Sequence, residues 1–252
     1  MSEQFINLTL DNIKEEHICC AIADKKHQGG VDRKKKWLEE RIGEGHVFRK
    51  LDEKGKVFIE YAPLETAWVP ILGDNYMYIY CLWVSGSFKG KGYAKSLLDY
   101  CIKDAKEKGK SGICIISSSK KKPFLSEKKF MTKYGFETVD KVGEEYELLA
   151  LSFDGTKPHF TESAKKQSIE NKELTIYYGE QCPYIANCVE QVREYCETNK
   201  IPLQLIEVDS LEKAKNMPCI FNNWAVFYHG KFETLHLLNE GALKKLLDGY
   251  AK

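Results

Sequence analysis

Between Ser87 and Ala94 the chain reads SFKGKGYA, with glycines and lysines and no acidic residue. That composition suits an anion. Gly90 and Gly92 have no side chain to block a close backbone approach, while Lys89, Lys91 and Lys95 add positive charge. If a helix opens near Tyr93, its first unpaired N–H groups and its dipole converge on one point. A phosphate or diphosphate is the expected occupant. The loop is not a Walker A motif, because the Gly-Lys-Ser/Thr ending is absent, and it lacks the complete Gly-x-Gly-x-x-Gly of a dinucleotide site. A second chemical candidate is Cys182, which follows the apolar run LTIYY and precedes Pro183. A cysteine at a helix opening is stabilised as thiolate.

These residues need elements to hold them. FINLTL (5–10) alternates like a strand, and the apolar spacing of Ile13, Ile18, Ala21 and Ile22 predicts a helix that Gly29-Gly30 breaks. Asp32 is placed to cap a second helix, RKKKWLEERI, whose lysines 34–36 read as a solvated face. HVFRKLDEKGKVFIEYA predicts a hairpin turning at residues 53–55, and TAWVPIL and NYMYIYCLWV extend the sheet. Beyond the glycine loop, Ala94, Leu97, Leu98, Cys101, Ile102 and Ala105 form a helical stripe that ends at Gly109. GICIISS (112–118) is nearly all apolar, as a strand covered on both faces would be. PFLSEKKFMTKYGF predicts a helix stopped by Gly135, with FETVDKV and EYELLALSF as strands after it.

CLWVSGSFKGKGYAKSLL and KFMTKYGF resemble two motifs of the GNAT superfamily of N-acyltransferases, a resemblance covering residues 5–153. It implies an α/β (α+β) fold with a mixed sheet and acetyl-CoA as co-substrate. The backbone amides of Lys89, Gly90, Lys91, Gly92, Tyr93 and Ala94 would hold the diphosphate. Leu82, Trp83 and Val84 would offer backbone groups to the pantetheine arm, between the splayed strands IYCLWV and GICIISS. Acyl transfer to an amine then needs positioning, a stabilised oxyanion and proton transfers. Where many members carry a tyrosine that returns a proton to the CoA thiolate, this chain has Met131, which leaves Tyr134 as the candidate acid. Glu60 and Glu65 border the implied substrate cleft and are candidate bases, with solvated strand-edge glutamates as the plainer reading. His17, Cys19 and Cys20 lie on the predicted first helix, on the implied acceptor side.

From Asp154 to Lys172 the chain turns polar and is expected to be a linker or a surface-bound connection. The remainder reads strand (LTIYY), helix from Cys182, strand (PLQLIEVDS), short helix (LEKAKNM), strands in CIF, WAVFYHGKF and ETLHLL, and a closing helix (EGALKKLLDGYA). It resembles the YoaP-like domain, a thioredoxin-like α/β unit. That resemblance implies a cis Pro218 opposite Cys182, carrying Cys219 toward it. The resolving position of a CxxC pair is Ile185, so the thiol candidates are Cys182, Cys188 and Cys219. Such thiolates suit zinc, copper(I), a trivalent metalloid or a transient disulfide, and a reduced, partly buried set without chemistry stands beside those readings. Cys196 falls on the helix stripe with Val189 and Val192 and reads as core.

The expected organisation is therefore residues 1–153, a linker at 154–172, and a smaller domain at 173–252. At 252 residues and 43% hydrophobic content there is ample material for a core. A net charge of +1 gives no reason to expect nucleic acid or an anionic membrane as partner. No apolar run is long enough to span a bilayer, and the N-terminus has no secretory pattern. Nine cysteines then point to a reducing, cytoplasmic setting. The function expected is acetyl-CoA-dependent N-acetylation of a small-molecule or protein amine. The competing readings are a thiol-based metal, metalloid or redox protein with a CoA-binding front domain, and a CoA-binding module without catalysis.

Overall fold

The computed structural model describes residues 5–18, 20–22 and 24–250. Its front half contains β1 (Phe5–Asn7), α1 (Gln28–Ile42), β2 (Val47–Leu51), β3 (Val57–Pro63), β4 (Ile71–Leu72) and β5 (Tyr76–Val84). Then follow α2 (Tyr93–Glu107), β6 (Gly112–Ser118), β7 (Ser126–Glu127), α3 (Lys128–Thr132), β8 (Glu137–Val142) and β9 (Tyr146–Ser152). The rear half has β10 (His159–Phe160), α4 (Glu162–Lys165), β11 (Leu174–Tyr178), α5 (Tyr184–Thr198), β12 (Leu203–Glu207) and α6 (Leu211–Lys215). It closes with β13 (Trp224–Tyr228), β14 (Lys231–Thr234) and α7 (Glu240–Asp248). None of these helices is long and apolar enough to cross a membrane.

The front sheet is eight-stranded and mixed, in the order β1-β2-β3-β5-β6-β9-β8 with β7 beside β6. Every residue of β6 is buried, as its apolar run requires. β5 and β6 are parallel but pair only from Tyr76–Tyr78 to Gly112–Cys114, and beyond that they diverge. In the β3–β5 ladder Glu60 faces Cys81 while Tyr61 faces Ile79, so Tyr80 is an extra residue bulged at the point where the strands part. One sheet face packs on α2 through Leu97, Leu98, Cys101 and Ala105, the stripe expected from the sequence. The opposite face meets α1, the N-terminal turns and the rear half in two mixed apolar clusters.

The rear sheet is four-stranded, ordered β12-β11-β13-β14, with β11 and β12 parallel and the other pairs antiparallel. α5 and α7 pack on it around Trp224, Ile176 and Leu174. The segment 154–172 does not hang free. Phe160 and Ala164 are fully buried, β10 pairs with β4, and the Phe160 amide donates to Asp140 at 2.8 Å. The amides of Phe232 and Ile169 bond to Gln167 and Gly230, stitching it to the rear sheet as well.

Several local expectations are corrected. The described residues from Leu10 to Ile22 form turns rather than a helix. The Asn12 side chain accepts from the Thr9 amide and donates to the Asn7 carbonyl, a local alternative to the helical ladder. Cys19 lies outside the described residues. Gly29 and Gly30 do not break a helix; they lie in the first turn of α1, and Asp32 sits inside it. The reason is contact: a Cβ on Gly30 would fall 1.9 Å from the Pro183 carbonyl oxygen. TAWVPIL contributes only the two-residue β4, CIF is not a strand, and the helix expected over 123–135 shrinks to α3. No cis peptide bond occurs among the described residues, so Pro218 is trans.

Candidate active site

The glycine loop leaves β5 through a short 3-10 turn at Gly86–Phe88 and enters α2 at Tyr93. Gly90 and Gly92 hold φ of +76° and +86°, values open to glycine and strained for other residues. A Cβ at either would meet nothing within 4 Å, so the cradle they leave is open. Among the described residues, no protein acceptor takes the amides of residues 90–95; the first helical bond runs from Ser96 to Gly92. Lys89, Gly90, Lys91 and Gly92 are exposed, and Lys91 lies over the Phe88 ring at 5.7 Å. Tyr93 and Ala94 begin the helix, Tyr93 packing on Phe5 and Phe88.

β5 runs back from this loop with one edge on β3 and the other unpaired by β6 from Ile79 onward. Leu82 and Val84 lean on the core, while Trp83 is 47% exposed. An unpaired strand edge therefore extends from the open amides to the bulge at Tyr80. Met131 is buried in the α2-side core, and Tyr134 packs on Phe130 in the turn after α3. Tyr134 also lies near Lys95, whose charge is stabilised first by its hydrogen bond to Asp99 and more weakly by Tyr134.

Glu60 is not a solvated glutamate. It is fully buried on β3, accepts from Lys34 Nζ at 2.6 Å and Gln181 Nε2 at 3.1 Å, and lies 3.1 Å from His46 Nε2. Burial pushes its carboxyl up, but Lys34 and then the hydrogen-bonded His46 overrule it and hold the group at about 2. At that value it is a weak proton acceptor. Gln181 accepts in turn from Asn223 Nδ2. Lys34 thus leaves the solvated face expected of its lysine run, because it shares the inward stripe of α1 with Val31, Trp37 and Leu38. The ring of His46 lies 5.0 Å from that of Tyr80, beside the bulge.

Glu65 is at the closed end of the sheet, away from the open edge. It caps the Asn75 amide at 2.8 Å and faces Lys110 at 3.4 Å, which anchors the turn leading into β5.

The structure divides the expected thiols between two cores. Cys188 points into the core between α5 and α7 and donates to the Leu238 carbonyl. Cys219 is fully buried in a different cluster and donates to the Phe221 carbonyl. Burial pushes both thiols up to about 12. Among the described residues, no group of three or more His, Cys, Asp or Glu is arranged to hold a metal ion. Cys182 is half-buried just ahead of α5 and packs against the same rear core as Cys188. The Cys81 thiol is pushed well up by burial first, then by Cys20 and Glu60, with a smaller push from Cys182. Tyr184 donates to the Cys20 carbonyl at 3.2 Å across the same junction. Reading the sequence missed Lys34, His46, Gln181 and Asn223; the period of α1 was the available signal for Lys34 alone.

Among known proteins, residues 10–136 match the acetyltransferase (GNAT) family and residues 202–245 match the YoaP-like family. The chain is 43% identical over 249 residues to the uncharacterized N-acetyltransferase YoaP of Bacillus subtilis (strain 168), covering 98% of this chain and 99% of that one. A GNAT family acetyltransferase from Brucella melitensis in complex with acetyl-CoA aligns with 14% identity and a TM-score of 0.40, over 62% of this chain and 92% of that one. The PaiA N-acetyltransferase from Thermoplasma acidophilum in complex with coenzyme A aligns with 14% identity and a TM-score of 0.41, over 61% and 100%.

Proposed function

Because the chain belongs to the GNAT family of acetyltransferases, with acetyl-CoA as co-substrate, we propose that the groove beside β5 is where the acetyl group is transferred to an amine. The diphosphate rests on the amides of residues 90–94, the Lys89 amide being taken by the Gly86 carbonyl, while the Lys89, Lys91 and Lys95 side chains supply charge. The pantetheine arm follows the open edge past Val84, Trp83 and Leu82. It ends where the edge ends, at Tyr80 and Cys81, so the thioester lies beside the bulge. There a neutral amine attacks the acetyl carbonyl, and backbone N–H groups freed by the bulge stabilise the developing oxyanion. The proton that the nitrogen loses passes to solvent, from which Tyr134 is reprotonated after each turnover. Tyr134, whose hydroxyl has no protein partner among the described residues, is the side chain proposed to return a proton to the departing thiolate. Glu60 is a positioning residue rather than the base; Glu65 has a structural role.

The observation that carries this reading is the set of open amides at residues 90–95 at the mouth of the splay. Calorimetry with acetyl-CoA tests it, because absence of binding at millimolar ligand removes the reading. Thiol release with a panel of amines then separates a catalyst from a CoA-binding module.

We further propose that residues 173–252 are a distinct, thioredoxin-like unit, supported by the order β11-α5-β12 followed by the β13–β14 hairpin and α7. Residues 154–172 then connect it to the unit at 1–153. A cytoplasmic setting belongs to the same proposal. A second reading, thiol chemistry at Cys182, draws on its convergence with Cys20 and Cys81. The alkylation rate of Cys182 against pH tests that, and a profile like that of free cysteine removes it.

A further inference from the structure

The seam between α1 and the rear sheet holds a cavity of about 120 Å³. Trp37 and Trp68 form one wall, Glu40, Glu180, Glu207 and Asp209 much of the rest, and Lys36 stands among them. At roughly 10–15 Å³ for each water-sized group, it has room for on the order of ten heavy atoms.

Its carboxylates are only partly neutralised, and Glu207 takes a hydrogen bond from Tyr178. Glu40 meets Arg41 at 3.4 Å, Glu180 meets Arg33 at 3.7 Å and Asp209 meets Lys213 at 2.7 Å, while Glu207 has no ion pair among the described residues. Burial pushes the Glu180 carboxyl up, and Glu207 pushes it further, with Arg33 and Lys36 only partly offsetting them. Trp37 and Trp68 are 5% and 7% exposed. Neither indole N–H donates to an acceptor among the described residues, yet neither is sealed from solvent. The fully buried Trp224, by contrast, donates to the His236 carbonyl at 2.9 Å. Buried indoles ordinarily find such a partner, so a donor left open on a cavity wall points to a ligand.

The cavity also adjoins the chemistry. Trp37 packs its ring 6.1 Å from Tyr80 and 5.3 Å from His46, so the aromatic wall backs onto the bulge where the open edge of β5 ends. A cation against indole faces and carboxylates is favourable twice over.

We propose that this seam cavity holds the acceptor, a small aliphatic amine with more than one positive charge, and that the rear sheet is present to supply the acidic wall. This rests on the transferase reading. One charged nitrogen is gripped by Glu180, Glu207 and Asp209, leaving another to be delivered as the neutral amine toward Tyr80.

The test uses the full chain, with putrescine and spermidine as probes and butanediol as the neutral control. Binding is followed by calorimetry, turnover by thiol release at saturating acetyl-CoA, and CoA affinity separately. The amines are expected to bind and the diol not. The Glu207→Gln/Asp209→Asn double variant should raise the KM for amine at least about 10-fold with kcat within about 2-fold, the signature of lost ground-state binding. Lys36→Glu should lower that KM. An unchanged KM in the double variant overturns the cavity assignment while leaving the transferase standing. Failure of CoA to bind overturns the transferase reading instead, and direct amine binding then decides the cavity: retained and variant-sensitive supports it, absent overturns it.

Discussion

Gln181, from the loop ahead of α5, donates its side-chain amide to Glu60 on β3 at 3.1 Å, with both groups buried. The contact joins the rear half to the strand that flanks the proposed transfer groove. It also puts Cys182, the next residue, against the front sheet. Glu60 is thereby the centre of a charged cluster whose members come from α1, β3, the start of β2 and the rear loop.

Breaking that cluster on one side should be costly. Lys34→Met leaves a buried carboxylate with only neutral donors and His46, and such losses run to about 3–5 kcal/mol. Urea denaturation should show a lower midpoint at unchanged slope. The Lys34→Met/Glu60→Leu pair should recover much of the loss, because no charge is then stranded. A double variant as unstable as the single would show that the ion pair is not the source.

The same group sets an acid limit. The Glu60 carboxyl is held at about 2 in the folded chain against an ordinary value of 4.5. A depressed carboxylate contributes stability that is complete above its unfolded pKa and is lost as pH falls toward the folded one. Melting temperature should therefore drop between pH 4.5 and 2. That drop should be shallower in Lys34→Met/Glu60→Leu, and an unchanged acid profile would contradict the assignment.

Gly30 and Gly29 make a matched pair. An alanine at 30 meets the Pro183 carbonyl, whereas at 29 it meets nothing within 4 Å. Gly29→Ala should stabilise the chain by up to about 1 kcal/mol through helix propensity. Gly30→Ala should destabilise it by about 1–3 kcal/mol, as overpacking does, and should expose Cys182 to alkylation. Equal effects at the two positions would mean that α1 and the Cys182 loop are not in contact.

Lys215 bonds the carbonyls of Leu64 and Ile71, and burial lowers its ammonium to about 8. A base depressed on folding disfavours the folded state at lower pH, and stability returns as pH rises from the folded to the unfolded value. Over pH 8 to 10.5 Lys215 therefore adds stability, set against the loss from thiols that burial raises above 9.0. Lys215→Met should then fall more steeply than the wild type across that range. A gap between wild type and Lys215→Met that stays constant over that range would show that Lys215 is not depressed.

What the sequence disclosed was local. The glycine loop, the α2 stripe and the buried run of β6 all depend on neighbours within a few residues, and all three are found. Glu60 was misjudged because its partners Lys34, His46 and Gln181 lie 26, 14 and 121 residues away. The thiol grouping holds only in part, for a related reason. Cys219 turns into a different core from the one that Cys182 and Cys188 share, and two cysteines of the front half, Cys20 and Cys81, also lie near Cys182. The role of Gly30 is equally non-local, set by a carbonyl on the far side of the junction.

The most direct measurement is a crystal structure of the chain with coenzyme A. The diphosphate oxygens should lie about 2.7–3.2 Å from main-chain nitrogens among residues 90–95, with the sulfur beside Tyr80. A nucleotide bound elsewhere, or those nitrogens engaged by protein groups in the complex, would contradict the transfer groove.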